Sequence, residues 1–156
     1  MTSVGEERTG PGLGARSVEF TRIASGRYAA RNPRGGELTF GSGDDSDFTP
    51  VELLLTAIAG CSAVDVDLIT GKRAEPTAFD VTSNGTKIRD ESGNRLTDIE
   101  VTFTVRFPDD EAGDRAREML PRALEMSHDR LCTVSRTVQV PTPVTMRLSD
   151  PESPID

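Results

Sequence analysis

Two cysteines and one histidine are the residues of this chain best suited to carry chemistry. Cys61 lies in the middle of an apolar stretch, and Cys132 follows His128 by four residues. A thiolate is both a nucleophile and a metal ligand, so the cysteines could form a redox pair or contribute to a metal site. The alternative is that both thiols pack as small hydrophobic groups in the core. The spacing of these residues leaves the interpretations open.

The small number of donors argues against a metal site. Cys61, Cys132 and His128 are the only cysteine and histidine donors, and no paired-cysteine spacing typical of zinc sites is present. The acidic loop Gly41–Asp47 contains three aspartates, but it lacks the ligand spacing and closing glutamate of an EF-hand. The sequence also lacks a phosphate-binding glycine loop and a nucleophile-elbow serine. We therefore expect neither a metal nor a cofactor.

Cys61 needs a cation to become a good nucleophile. The pKa of a thiol falls near arginine, lysine or a helix N-terminus, and it rises in apolar surroundings. A cysteine in the middle of a helix is remote from the positive end of the helix dipole. The candidate cations are Arg27, Arg130 and Arg136, and the alternative for each is a solvated surface charge.

The stretch Val51–Ile69 predicts the central helix that carries Cys61. Its apolar residues recur at helical spacing and cover more than one side, a pattern typical of a buried helix. Thr49 is suited to cap this helix, and Pro50 is suited to its first turn. The stretch is expected to be too short, and too interrupted by Asp65 and Asp67, to span a membrane.

Alternating apolar and polar residues predict the strands around this helix. Strong turn residues separate the first three strands and also mark a hairpin loop, while Asn84-Gly85 indicates a turn or bulge. The predicted strands are Ser17–Ala24, Tyr28–Ala30, Glu37–Phe40, a strand that starts at Pro76–Asp80, and Ile99–Phe107 after the loop Asp90–Asn94.

A second helix follows Pro108, with Asp109 or Asp110 as its cap. A single stripe of apolar residues marks its core face. Pro121 is expected to kink or split this helix, because proline removes a backbone hydrogen bond. After Cys132, alternation of valines along 134–140 predicts a last strand with Arg136 on its apolar side. The stripe consists of Ala112, Ala116, Met119, Leu120 and Ala123.

Composition limits the class of protein. The 156 residues suffice for one ordinary domain, but 35% hydrophobic residues without tryptophan are a thin supply for a lone core. We therefore expect part of the chain to be disordered and a second subunit to complete part of the core. The 18 basic and 26 acidic residues give a formal net charge of −8, which disfavours nucleic acid as a partner.

The ends of the chain differ from its middle. The first sixteen residues are rich in glycine, threonine and charge, and the last eight are acidic and proline-containing. We expect disordered tails at 1–16 and 149–156 around a single domain at 17–148. The N-terminal residues lack an apolar run, so we expect no signal peptide or membrane anchor and a cytoplasmic location. In that compartment the cysteines are expected to be thiols or a transient redox pair.

Two segments together resemble the OsmC/Ohr family of thiol-dependent peroxidases. These are FTPVELLLTAIAGCSAVDV, which contains the spacing from Pro50 to Cys61, and LCTVSRTVQVPTPV, which contains Cys132. The resemblance covers roughly residues 17–148. It implies an α+β fold with antiparallel sheets wrapped around two central helices, in an intertwined homodimer.

The family resemblance also implies a function and site residues. Cys61 would attack the O–O bond of an organic hydroperoxide and become a sulfenic acid, Cys132 would resolve it as a disulfide, and an external dithiol would reduce the disulfide. In such enzymes an arginine near the first strands and a glutamate near the helix start assist the cysteine. Arg27, in the context Ser25-Gly26-Arg27, and Glu52 are the matching candidates.

The match departs from the peroxidase pattern at two positions. Thr133 follows Cys132 where the family usually has proline, and Val51 stands where the peroxidase branch has the glutamate. The order Pro-x-Glu-Leu is more similar to the less characterised OsmC-like branch. At about 100° per residue, Glu52 would lie roughly opposite Cys61 on a straight helix.

The sequence is compatible with three functions. The first is a thiol peroxidase that acts on organic hydroperoxides in oxidative-stress defence. The second is a non-catalytic dimer that binds a small hydrophobic ligand in the same pocket, and the third is a stress protein whose cysteines merely pack. A low pKa at Cys61 would favour the first.

Overall fold

The computed structural model of the chain describes residues 14–152. Most of the predicted N-terminal tail and the last four residues lie outside the described range. The chain separates into two compact units, one up to Leu54 and one from Leu55, so the boundary falls inside a helix. The secondary structure is mixed, with antiparallel sheets and helices, as the α+β prediction requires.

The first unit contains a three-stranded antiparallel meander. Its strands are β1 (Glu19–Ala24), β2 (Arg27–Arg31) and β3 (Glu37–Gly41), in the order β1-β2-β3. Gly26 has a φ of +66°, which permits the tight turn between the first two strands. The rings of Phe20, Tyr28 and Phe40 lie 5.3 to 5.8 Å apart on one face of the meander. The three strands confirm the prediction.

Helix α1 spans Pro50–Thr70 and confirms the predicted central helix. At its start the Thr49 hydroxyl accepts the Glu52 N–H at 3.3 Å, as expected for a cap. One side of the helix is buried, whereas Val64 and Leu68 are 59% and 66% exposed. In the single chain the helix is therefore not buried on all sides. The buried residues are Ile58, Ala59, Val66 and Thr70.

The length and composition of α1 would allow it to cross a membrane, so the prediction that the stretch is too short was wrong. The core helix of a soluble protein meets the same criterion of length and composition. Asp65 and Asp67 lie in its second half, where a bilayer would penalise them.

The second unit contains a long antiparallel hairpin of β4 (Ala78–Asp90) and β5 (Gly93–Arg106). The register shifts between Asn84 and Thr86, so the predicted irregularity at Asn84-Gly85 is a β-bulge. Phe79 and Phe103 meet edge to face across the two strands, with ring centroids 6.0 Å apart. The hairpin confirms the two predicted strands and their loop.

Helix α2 spans Glu111–Met126, and Asp110 caps it by accepting the Gly113 N–H at 2.7 Å. Ala116 and Ala123 are buried, in agreement with the predicted stripe. Pro121 lies inside an unbroken helix, so the predicted split does not occur. Pro121 is on the exposed side, where water can satisfy the carbonyl that proline leaves without a backbone donor.

The segment after α2 is helical. A π-helical turn, Ser127–Leu131, leads through Cys132 to helix α3, Thr133–Gln139. The predicted strand at 134–140 was therefore wrong. Cys132 is a helix cap whose carbonyl accepts the Arg136 N–H at 3.0 Å. The run after α3, residues 141–150, forms neither helix nor strand.

Candidate functional site

The second unit brings the two cysteines together. Cys61 lies on α1 and is partly exposed, whereas Cys132, at the start of α3, is fully buried. Both are free thiols, and their side chains lie within hydrogen-bonding reach of each other. Two neighbouring thiols can form a disulfide when their Cα and Cβ geometry permits it.

Cys132 is surrounded by hydrogen-bond donors. The backbone N–H of Ser135 lies 3.4 Å from its sulfur, and the Ser135 hydroxyl oxygen lies 3.2 Å from it. Burial alone raises the pKa of Cys132. Hydrogen bonds with Ser135, Ser62 and Cys61 outweigh that effect and bring the pKa below the ordinary value of a thiol.

The pKa of Cys61 is shifted in the opposite direction, above the ordinary value of a thiol. Burial is the largest influence and raises its pKa, and the neighbouring Cys132 sulfur raises it further. The backbone N–H groups of Val134 and Thr133 lower the pKa, but not enough to cancel the increase. Near neutral pH Cys61 therefore keeps its proton, and Cys132 is the first of the pair to ionise. A peroxidase would be favoured by a lowered pKa at Cys61, whereas the lowered pKa is found at Cys132.

The first turn of α3 explains these interactions. Thr133, Val134 and Ser135 carry the first backbone N–H groups of the helix, which have no partner within the helix. All three interact with one of the two sulfurs. Sequence reasoning missed these donors because the segment was predicted as a strand. The signal that could have identified them is Cys132 followed three residues later by Ser135, the spacing of a helix cap.

Arg27 and Glu52 belong to the first unit, and the structure gives each a local partner. The Arg27 guanidinium pairs with Asp45 at 3.0 Å and with Asp47 at 2.5 Å, both in the acidic loop after β3. The Glu52 carboxylate accepts a hydrogen bond from the Thr49 hydroxyl at 2.9 Å. The ion pairs of Arg27 and the hydrogen bond of Glu52 stabilise the loop that precedes α1 and the first turn of that helix.

The other two candidate arginines are exposed. Arg136 donates to the Asp129 carbonyl at 2.9 Å and so connects α3 to the π-helical turn. Arg130 lies on the exposed side of that turn. The principal groups acting on the Cys61 pKa are the buried surroundings, backbone amides and Cys132, and not a guanidinium.

His128 lies beside the site. Its Nδ1 is 2.9 Å from a carboxylate oxygen of Asp129, and its side chain is 67% exposed. Within residues 14–152 no cluster of three or more histidine, cysteine, aspartate or glutamate side chains is arranged to hold a metal ion. The described residues therefore offer no metal centre at the cysteines.

The second unit contains a cavity of about 770 Å³ whose wall includes neighbours of the cysteines, though not the cysteines themselves. Ser62 and Ser135, which both interact with Cys132, form part of its wall. Most of the remaining wall is apolar, and its volume is that of a small-molecule site. The main apolar residues are Ile58, Leu96, Ile99, Val101, Phe103 and Val138.

Comparisons with known proteins agree with this architecture. The model of the family described as OsmC-like protein matches residues 43–147. An uncharacterized protein of Mycobacterium tuberculosis is 30% identical over 131 residues, which cover 83% of this chain and 93% of the relative.

Two solved structures show the same fold. An OsmC-like protein of unknown function from Vibrio cholerae superimposes with a TM-score of 0.70 at 13% identity, over 81% of this chain and 95% of that one. A hypothetical protein from Aquifex aeolicus superimposes with a TM-score of 0.65 at 24% identity, over 82% of this chain and 89% of that one. The family match, the relative and the shared fold together show that this chain is a member of the OsmC/Ohr family.

Proposed function

We propose that the protein is a thiol-dependent peroxidase that reduces organic hydroperoxides through Cys61 and Cys132. The observation that carries the proposal is the interaction between the two thiols, in which the pKa of Cys132 is lowered and that of Cys61 is raised. Cys61 is the partly exposed member of the pair, so it is the one that a substrate reaches. Membership in the OsmC/Ohr family is consistent with this role.

In the first step Cys61 transfers its proton to the Cys132 thiolate, which is the acceptor within reach. The Cys61 thiolate then attacks the terminal oxygen of the hydroperoxide, and the O–O bond breaks. Cys61 becomes a sulfenic acid, and the departing alkoxide takes the proton from Cys132 to leave as an alcohol. Cys61 is oxidised by two electrons, and the hydroperoxide is reduced by two.

The second step uses Cys132, which is again a thiolate. It attacks the sulfur of the Cys61 sulfenic acid, forms a disulfide and releases hydroxide, which a solvent proton converts to water. An external dithiol then reduces the disulfide by thiol–disulfide exchange and is itself oxidised. The short path between the two sulfurs favours this closure over further oxidation of Cys61.

For Arg27 and Glu52 we propose supporting roles, as the family resemblance implies. Their observed contacts with Asp45, Asp47 and Thr49 order the segment before α1. Arg27→Lys and Glu52→Gln should therefore slow peroxide consumption without abolishing it. Wild-type rates in both variants would remove these residues from the proposal.

The active form is proposed to be a homodimer, as is common in the OsmC/Ohr family. The run after α3 exposes three alternating apolar side chains, Val144 at 83%, Met146 at 91% and Leu148 at 101%. Such exposed apolar surface is typical of a protein–protein interface. Light scattering coupled to gel filtration should give the mass of two chains, and Met146→Asp should shift the equilibrium towards one.

The peroxidase proposal is tested by mixing the purified protein with a dithiol and cumene or t-butyl hydroperoxide. Consumption of the hydroperoxide should require the dithiol and proceed over many turnovers. Loss of turnover in Cys61→Ser, with wild-type folding by circular dichroism, would support the proposed nucleophile. Failure of the wild-type protein to consume either hydroperoxide would reject the proposal.

The cavity beside the cysteines favours a second candidate, a non-catalytic protein that binds a small hydrophobic ligand. Its apolar wall and volume of about 770 Å³ do not require thiol chemistry. This function predicts that apolar compounds raise the melting temperature equally in wild-type protein and in Cys61→Ser. Substitution of Val101 by aspartate in the cavity wall should remove that increase.

A further inference from the structure

The cysteine-bearing elements are connected by a second contact, one helical turn from the sulfurs. The Ser127 hydroxyl donates a hydrogen bond of 2.9 Å to the carboxylate of Asp65. Asp65 lies on α1 four residues after Cys61, and therefore on the same face of that helix. Ser127 begins the π-helical turn that leads to Cys132.

Ser127 acts on Cys132 through its backbone as well. Its carbonyl accepts the Cys132 N–H at 2.9 Å, which closes the π-helical turn. Ser127 thus forms a side-chain hydrogen bond with Asp65 of α1 and a backbone hydrogen bond with Cys132. The two cysteines are therefore connected in two ways. One connection is the interaction between their side chains, and the other runs from α1 through Asp65 and Ser127 to Cys132.

The link is largely shielded from water. Ser127 is 1% exposed, and Asp65 is partly buried. A buried hydroxyl and a partly buried carboxylate both lose water on folding, so each needs the other as a partner. Breaking the link leaves Asp65 without this donor and frees the π-helical turn to move relative to α1.

We propose that the Asp65–Ser127 hydrogen bond is a positioning device that holds Cys132 against Cys61. Asp65 and Ser127 are positioning residues, because they act through the elements that carry the sulfurs. This inference rests on the proposed redox function only in assuming that the cysteine pair cycles between thiols and disulfide. It makes no assumption about the oxidant.

The test measures how readily the pair closes in a glutathione redox buffer. One glutathione disulfide oxidises the two thiols to a disulfide and is reduced to two glutathione molecules, so electrons and sulfurs balance. Ser127→Ala should lower the equilibrium constant for closure by roughly tenfold, as expected for a lost hydrogen bond to a charged group. For this two-electron couple, that factor corresponds to about 30 mV.

A matched control separates positioning from general destabilisation. Thr70 is a fully buried residue of α1 whose hydroxyl donates to the Val66 carbonyl at 2.9 Å. Thr70→Val should lower the melting temperature but leave the closure constant unchanged. Asp65→Asn keeps an acceptor for the Ser127 hydroxyl and should retain most of the wild-type constant, whereas Asp65→Ala should match Ser127→Ala.

The double variant Asp65→Ala/Ser127→Ala should be no worse than either single alanine variant, because the two residues form one link. A wild-type constant in Ser127→Ala, or an equal loss in Thr70→Val, would overturn the proposal. If Ser127→Ala fails to fold, Asp65→Ala against Asp65→Asn gives the same comparison. Normal closure in glutathione without hydroperoxide turnover would reject the peroxidase proposal alone.

Discussion

The two cysteines occupy contrasting positions in their helices. Cys61 lies in the middle of a 21-residue helix, where every nearby backbone N–H already serves that helix. Cys132 caps a 7-residue helix, whose first N–H groups have no partner within it. The short helix therefore supplies donors for both sulfurs, and the long one positions Cys61. Burial raises the pKa of both thiols, and only at Cys132 do the surrounding hydrogen bonds, led by that of the Ser135 hydroxyl, outweigh it.

The largest expected effect distinguishes the roles of the two sulfurs. Cys61→Ser should reduce hydroperoxide consumption by at least about a thousandfold, since the attacking atom is lost. Cys132→Ser should lose turnover but still undergo one oxidation, which leaves a sulfenic acid on Cys61. Mass spectrometry after trapping with dimedone detects that product. A dimedone adduct on Cys132 in Cys61→Ser, with turnover retained, would reverse the assignment.

The order of ionisation gives the next effect. Cys132 should be the first thiol to ionise, because hydrogen bonds with Ser135, Ser62 and Cys61 lower its pKa despite burial, whereas burial raises the pKa of Cys61. Because the Cys132 sulfur helps to raise the pKa of Cys61, Cys132→Ser should lower the midpoint for Cys61. Because Cys61 donates to Cys132, Cys61→Ala should raise the midpoint for Cys132. Thiolate absorbance and iodoacetamide rates against pH measure both.

Among the groups that lower the pKa of Cys132, the Ser135 hydroxyl has a larger influence than Cys61. Ser135→Ala removes a side-chain interaction that lowers the pKa of Cys132 and keeps the backbone N–H bond. The Cys132 midpoint should rise, but less than it does in Cys61→Ala combined with Ser135→Ala. Thr137→Ala, which removes an exposed hydroxyl from the same helix, is the control and should leave the midpoint unchanged. Equal midpoints in Ser135→Ala and wild type would assign the effect to the backbone.

The smallest effect on the site is expected from the cap of α2. Asp110 caps α2 as Cys132 caps α3, but it has no contact with a sulfur in its capping role. Asp110→Ala should cost about 1 kcal/mol of unfolding free energy, measured by urea denaturation. The titration of both thiols should not change. A shifted thiol midpoint in this variant would show that the two caps are coupled.

Much of the fold follows from the sequence because its patterns are local. The alternation in β5 and the capping residues Thr49 and Asp110 each specify an element without reference to the rest of the chain. The segment after Cys132 was wrongly predicted because Val134 and Val138 are β-branched and fit a strand. They also lie one turn apart on a helix, and the cap formed by Cys132 favours the helix.

The site was predictable only in part. The family resemblance selected Cys61 and Cys132, and their side chains interact in the structure, while their catalytic roles stay predictions. The roles proposed for Arg27 and Glu52 stay predictions, since their observed contacts are with Asp45, Asp47 and Thr49. The backbone N–H groups of Thr133, Val134 and Ser135 were not predicted as part of the site. Every residue except proline has such a group, so it can be identified only when the helix that exposes it is predicted correctly.

The π-helical turn makes the spacing along the chain a determinant of the redox pair. The Cys132 N–H bonds to the carbonyl five residues earlier, at Ser127, where an α-helix would use the fourth. Deleting one residue between them would restore α-helical geometry and rotate Cys132 and α3 by about 100° around the helix axis. The four intervening residues are exposed, so this turn should tolerate a change of side chain better than a change of length. A single deletion there should turn the Cys132 sulfur away from Cys61.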